Sequence, residues 1–236
     1  MDSKGAVSTD KYIKALMDIS HAINSDLYLE EILKLIVMVT AQVTGVQICS
    51  LWLIEENDGR PRLRLKATQT IEPAYVKDRV LNISEGVVGY VAAEKHPLII
   101  KDVLSEPRFK EKDMARSLGL KSLASVPLLH DERVIGVLNC FTSAPHDFTD
   151  VEVNLITTVA NQAAVAIYNS ELVIKTKVIQ EELETRKLVE RAKEAMMQRS
   201  RIDADEAYRR IQKKSMDSRR SMRSIAEAIL LSEELY

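Results

Sequence analysis

Phe148-Thr149-Asp150-Val151-Glu152-Val153 opens a run to Arg199 in which nothing breaks a helix: no glycine follows Gly136 and no proline follows Pro145. The opening carries its own start signal. Thr149 can accept from the backbone N–H of Glu152 while the Glu152 carboxylate reaches back, a capping box, and Phe148 is placed to pack on Val153 as a hydrophobic staple. A helix from Thr149 to about Arg199 would be roughly 75 Å long, more than twice the width of a small domain. Part of it must leave the domain in which it starts.

Upstream, Ile13, Leu16, Met17, Ser20 and Ile23 recur at helical spacing between Thr9 and Asn24. Leu29, Ile32, Leu33, Ile36, Val37, Thr40 and Val43 form a second such pattern. The period then changes. Ile48 to Ile54 and Arg62 to Thr68 are short strand-like runs on either side of Asn57-Asp58-Gly59, and Arg62-Leu63-Arg64-Leu65-Lys66-Ala67 alternates as a half-buried strand does. Leu81 to Ala92 reads as a short strand, a glycine-containing turn and a helix, and Pro97 to Val103 returns to strand character. Ser122 to Leu129 and Arg133 to Phe141 are two further strands, joined at His130-Asp131-Glu132. The fold class is α+β: an antiparallel sheet with helices before and after it.

At 236 residues and 46% hydrophobic content the chain can bury a real core, yet no apolar run approaches the roughly 20 residues of a membrane helix. The polar start, with residues 1–11 expected to be flexible, shows neither signal peptide nor anchor, so the expected location is cytoplasmic. Cys49 and Cys140 lie in strand-like apolar runs, as buried thiols of a reducing compartment do. None of His21, His96, His130 and His146 is spaced to pair on a metal. The net charge of -2 hides a division: residues 186–223 hold 13 Lys/Arg against 6 Asp/Glu, and the remainder holds 20 against 29. A basic segment on an acidic body points to a polyanionic partner for that segment.

Gly86-Val87-Val88-Gly89-Tyr90-Val91-Ala92, Pro97-Leu98-Ile99-Ile100-Lys101-Asp102-Val103, Ser125-Val126-Pro127-Leu128-Leu129, Val134-Ile135-Gly136-Val137-Leu138-Asn139 and Phe148-Thr149-Asp150, leading into Ala160 to Ile167, resemble a GAF domain over residues 12–170. The resemblance implies a small-molecule or redox sensor with its pocket on one sheet face and its terminal helices on the other. No cofactor is evident; the resemblance leaves room for an unidentified small-molecule ligand in that pocket. Members that bind cyclic nucleotides carry Asn-Lys and, further on, Asp-Glu. Here Asn139-Cys140 and Glu152-Val153 stand in those places, which argues against cyclic GMP.

Beyond the sensor, Leu172, Thr176, Ile179 and Leu183 alternate spacings of four, three and four, a coiled-coil seam within residues 171–187. After a break near Ser200-Arg201-Ile202, Asp203 and Glu206 open a helix with Ala204, Ala207, Tyr208, Ile211 and Ser215 along one side. Asp217 or Ser218 is expected to cap a last helix carrying Met222, Ile225, Ala226, Ile229 and Leu230. Neither helix can bury its stripe alone, so both should pack on Leu188, Val189, Ala192, Met196 and Met197. Arg209, Arg210, Lys213, Lys214, Arg219, Arg220 and Arg223 would then face outward.

Leu188-Val189-Glu190-Arg191-Ala192-Lys193, Met197, Arg199, Glu206-Ala207-Tyr208-Arg209-Arg210-Ile211, Met216 and Ile225-Ala226-Glu227-Ala228-Ile229 resemble an ANTAR domain, with the three-helix unit at 188–236. The resemblance implies an all-α bundle that binds RNA, paired short stem-loops in mRNA leaders whose folding competes with a terminator, and it singles out Lys193 and Arg199. Independently of it, an aromatic such as Tyr208 among Arg209, Arg210, Lys213 and Lys214 is suited to stack an unpaired base while cations hold the flanking phosphates. Glu194 stands where the family has glycine and Ser215 where it has alanine.

The expected protein is a homodimeric GAF-controlled antitermination regulator and not an enzyme. The sequence holds no catalytic triad, metal-ligand cluster or phosphate loop, and no histidine after His146 to serve as a kinase phosphoacceptor. The competing reading is a GAF-containing regulator that binds DNA.

Overall fold

The structure, a computed structural model, describes Met17 and residues 29–57, 59–69 and 79–234. The helix expected over Thr9 to Asn24 lies outside the described residues, Met17 excepted, and so does the side chain of Val43. The described elements are α1 (Leu29–Thr44), β1 (Ile48–Asn57), β2 (Arg60–Thr68), β3 (Val80–Asn82), α2 (Gly86–Glu94), β4 (Leu98–Ile100), α3 (Lys112–Ser117), β5 (Ser122–His130), β6 (Arg133–Thr142), α4 (Asp150–Ser200), α5 (Ala204–Ser218) and α6 (Met222–Glu234). They form two compact units divided between Glu171 and Leu172.

In the first unit six strands make one antiparallel sheet in the order β3-β2-β1-β6-β5-β4. The β1–β2 hairpin closes at Gly59, whose φ of 72° is a conformation glycine adopts without strain. The β5–β6 hairpin does the same without glycine: Asp131 and Glu132 have φ of 46° and 62°, the two-residue geometry that matches the twist of paired strands. At Gly136 a side chain would run into the backbone of Trp52 on the neighbouring strand, so β1 and β6 can approach only because that position is bare.

Strand alternation sends two sets of side chains to opposite faces. Cys49, Leu51, Leu53, Val126, Leu128, Leu138 and Cys140 meet Ile32, Leu33, Ile36 and Val37 of α1 and Ile156, Ala160, Ala163, Ala164 and Ile167 of α4. On the other face, Trp52, Leu63, Leu65 and Val137 pack on Val88 and Val91 of α2. Next to them, Leu123 and Phe141 pack on Ile100, Val103, Phe109 and Ala115. Ala115 belongs to α3, an element the sequence reading did not anticipate, because six residues are too few to display a helical period.

The capping box at the start of α4 forms as the sequence predicts. Thr149 N–H donates to Glu152 Oε2 at 2.8 Å and Glu152 N–H donates to Thr149 Oγ1 at 3.3 Å. Phe148 packs on the α1/α4 side of the core and stands edge-on to His146 at 4.7 Å. Burial pushes the Glu152 carboxyl up, but the Thr149 N–H and hydroxyl, with His146 at 3.0 Å, outweigh it and hold the group below the usual carboxylate range.

In the second unit, Val189 and Ala192 of α4, Ile211 of α5, and Ile225 and Ala226 of α6 form the core, with Leu188, Met196, Met222, Ile229 and Leu230 around it. The caps differ in part from expectation. Asp203 accepts from Glu206 N–H at 2.7 Å, as predicted. Asp217 and Ser218 lie in the last turn of α5, and Ser221 caps α6, its Oγ accepting from Ser224 N–H at 3.2 Å. Ala204 is exposed, so the buried side of α5 is Ala207 and Ile211. Among the described residues no helix is long and apolar enough to cross a membrane.

Candidate functional site

The cations of the second unit differ in what already holds them. Lys193 keeps 17% of its side chain exposed, with Nζ 2.9 Å from Glu190 Oε2 and 6.0 Å from the centroid of the Tyr208 ring. Arg210 Nε donates to Glu206 Oε1 at 2.9 Å. Arg223 Nε donates to Glu227 Oε1 at 3.0 Å, and its Nη1 lies 3.6 Å from Glu184; these carboxylates raise the guanidinium above its ordinary range, Glu227 most. Arg209, Lys213, Lys214, Arg219 and Arg220 are exposed and, among the described residues, lie within ion-pair reach of no carboxylate. Arg199 is exposed in the last turn of α4.

Two clefts flank α5. One, of about 710 Å³, has an apolar floor of Met196, Ile211, Ile225 and Ile229 and a rim of Arg210, Lys214 and Arg220. The other, of about 570 Å³, contains Tyr208 and Met222 and is walled by Glu181, Glu182 and Glu190, with Arg186 among them. Tyr208, 43% exposed, is therefore not a core residue, but it opens onto the acidic side. Helix geometry is the reason: at about 100° per residue, positions 208 and 210 point to nearly opposite sides, while 210 and 214 share one. Of the cations that the sequence groups with Tyr208, Arg210 and Lys214 lie at the cleft on the other side of α5, and Arg209 and Lys213 line neither cleft.

The sheet of the first unit carries a second group. Ser50 on β1 and Ser125 on β5 are both in register with Asn139 on β6, so the three form a row across adjacent strands, on the face opposite α4. All three are buried. Ser50 Oγ, Ser125 Oγ, Asn139 Oδ1 and the neighbouring Trp52 Nε1 have no hydrogen-bond partner among the described residues. Buried polar atoms left in this state are rare in folded proteins and call for a physical reason. Ser122, three residues earlier on β5, shows the usual case: its hydroxyl donates to Lys101 O at 2.7 Å and accepts from His146 N–H at 2.9 Å.

The sequence model of the GAF domain matches residues 28–167. The chain belongs to the GAF family. The sequence model of the ANTAR domain matches residues 177–230, so a GAF domain is followed by an ANTAR domain. Solved structures agree on the sheet. The GAF domain of a phosphoenolpyruvate-protein phosphotransferase from Acinetobacter is 26% identical over 70% of this chain and 97% of its own, with a TM-score of 0.58. The corresponding domain from Coxiella burnetii is 23% identical over 69% and 95%, with a TM-score of 0.60. The free methionine-R-sulfoxide reductase of Neisseria meningitidis, solved with its substrate, is 20% identical over 69% and 91%, with a TM-score of 0.56. No curated protein matches the chain.

A GAF domain joined to an ANTAR domain makes this chain a GAF-regulated ANTAR regulator. Of the residues singled out in the ANTAR domain, the structure brings Arg210, Lys214 and Arg220 to one cleft and Tyr208 to the other, with Lys193 Nζ 6.0 Å from the Tyr208 ring centroid. Leu172, Ile179 and Leu183 of the expected seam are 42%, 65% and 52% exposed, and Thr176 donates back to Leu172 O at 2.8 Å. In the GAF domain the polar row went unnoticed in the sequence. Its signal is one polar residue, Ser50, Asn139 or Ser125, between apolar neighbours in each of three strands, all in one register.

Proposed function

We propose that this protein is a transcription antitermination regulator in which the GAF domain controls an ANTAR domain that binds paired RNA stem-loops as a dimer. The observation that carries the reading is an apolar cleft rimmed by Arg210, Lys214 and Arg220, of which Lys214 and Arg220 have no carboxylate partner among the described residues, with Arg209, Lys213 and Arg219 exposed elsewhere on α5 and the α5–α6 connection. A hairpin loop offers unpaired bases for the floor and phosphates for the rim, which a regular duplex does not. Dimerisation is supported by the apolar stripe Leu172, Ile179 and Leu183, whose exposure costs free energy until a second helix covers it. Two linked bundles would raise affinity for adjacent hairpins through effective concentration.

On the sensor side, Ser50, Ser125 and Trp52 Nε1 supply donors and Asn139 Oδ1 an acceptor, with no charge in the set. That chemistry suits a small uncharged ligand with hydrogen-bonding groups on one edge.

A mobility shift with a tandem-hairpin RNA, at one stated salt concentration, tests the output. The wild type is expected to bind the tandem more tightly than a single hairpin, and Lys214→Ala with Arg220→Ala to weaken both. Equal binding of single and tandem hairpins removes the dimeric mechanism. Duplex DNA competing as well as RNA favours the DNA-binding reading.

A further inference from the structure

Cys49 and Cys140 stand opposite each other on the two central strands, β1 and β6, and their sulfurs are 3.6 Å apart. The backbone of Cys49 shows what kind of pair this is. Its N–H donates to the Gln69 side-chain oxygen at 3.0 Å, and its carbonyl accepts from Gln69 N–H and from the Thr68 hydroxyl, each at 3.2 Å. Both groups therefore turn away from β6. Cys49 and Cys140 form a non-hydrogen-bonded pair of the antiparallel ladder, the class whose Cα atoms come within about 4.5 Å. A disulfide spans Cα separations of roughly 4.4–6.8 Å, so the bond can close without moving either strand.

The pair also lies at a particular place. Both side chains are 0% exposed and belong to the core cluster that holds Ile156, Ala160, Ala163, Ala164 and Ile167 of α4 against the sheet. We propose that Cys49 and Cys140 are a modification site, a dithiol that a peroxide converts to an intramolecular disulfide and a small dithiol reduces again. One thiol gives up its proton, the thiolate attacks a peroxide oxygen, the O–O bond breaks, and the departing hydroxide takes up that proton, so that a sulfenic acid and one water form. The second thiol attacks that sulfur, the S–S bond forms and a second water leaves. Two electrons and two hydrogens pass from the cysteines to one hydrogen peroxide. Closing the bond draws two sulfurs from contact to bonding distance in a tightly packed layer that α1 shares with α4, the helix that continues into the ANTAR domain.

The same burial sets the rate. Desolvation first, and then the neighbouring Cys140, push the Cys49 thiol well above its ordinary value, so little thiolate exists at neutral pH. Reaction requires the α1/α4 layer to open, which makes the pair slow to oxidise and slow to reverse.

The chain has only these two cysteines, so intact mass after denaturation and alkylation reads the outcome directly. Full-length protein exposed to hydrogen peroxide should remain a single chain, lose two hydrogens and take up no alkyl groups, and dithiothreitol should restore both sites. The rate should rise in urea below the unfolding transition, and thermal unfolding of the oxidised form should shift upward. Cys49→Ser and Cys140→Ser, each left with one thiol and no second thiol to resolve a sulfenic acid, should not lose two hydrogens, and any oxidation of that thiol should appear as added oxygen. Two alkylatable thiols after prolonged exposure, a cross-link between chains, or stable sulfinic acid on either cysteine overturns the proposal. None of these readouts depends on RNA.

Discussion

The salt dependence of RNA binding is the sharpest test of which cations touch phosphate. Each cation that neutralises a phosphate releases counterions, and log K falls with log salt by about 0.7 per contact on a single strand and about 0.9 on a duplex stem. Arg209, Lys213, Lys214, Arg219 and Arg220 are free of carboxylate partners among the described residues. Those five contacts give a slope of about −3.5 to −4.5 per bundle, or roughly two to three orders of magnitude in affinity between about 50 and 200 mM salt. Lys214→Ala should lower the slope by about 0.7 to 0.9 and weaken all RNA sequences alike. Arg210 differs because Glu206 already neutralises it. Arg210→Ala should change the slope less while still reducing affinity, since it leaves the Glu206 carboxylate facing the RNA. Fluorescence anisotropy with a labelled tandem hairpin over a salt series measures both. Equal slope changes for Lys214→Ala and Arg210→Ala, or none for either, would refute the assignment of the rim.

Ile211 is 1% exposed in a bundle core of few large side chains, so Ile211→Ala should cost about 2–5 kcal/mol and unfold the ANTAR domain at a lower denaturant concentration, read by circular dichroism. Thr149→Ala removes one side of the α4 cap and should cost about 1 kcal/mol. The Glu152 carboxyl has a lowered pKa in the folded protein, so its contribution is complete above its unfolded value, about 4.3, and disappears as pH falls through the lower folded value. Acid unfolding followed by fluorescence should flatten in this window for Glu152→Gln. Ile179→Ser with Leu183→Ser should shift sedimentation at micromolar concentration from dimer to monomer; an unchanged sedimentation coefficient removes the seam. Asn139→Leu, which replaces an unpartnered polar atom by an apolar one, should leave the apo protein as stable or more so and abolish ligand response, and marked destabilisation without ligand would show that Asn139 is structural.

Local chemistry determined much of this protein before any tertiary contact. The Thr149–Glu152 box, the absence of glycine and proline after Pro145, the alternation of Arg62 to Ala67 and the GAF and ANTAR motifs are all statements about neighbours in sequence. Such neighbours set backbone preference within a few residues. What the sequence could not show depends on which distant strands and helix faces meet. Cys49 and Cys140 are 91 positions apart and touch only because β1 and β6 are adjacent at the centre of the sheet. Ser50, Asn139 and Ser125 become a row only when three strands fix their register. Tyr208 and Arg210 are nearly adjacent in the chain, yet packing on α4 gives one an acidic wall and the other a basic rim. Pattern reveals that a helix has two sides; the neighbour it packs against decides what each side faces.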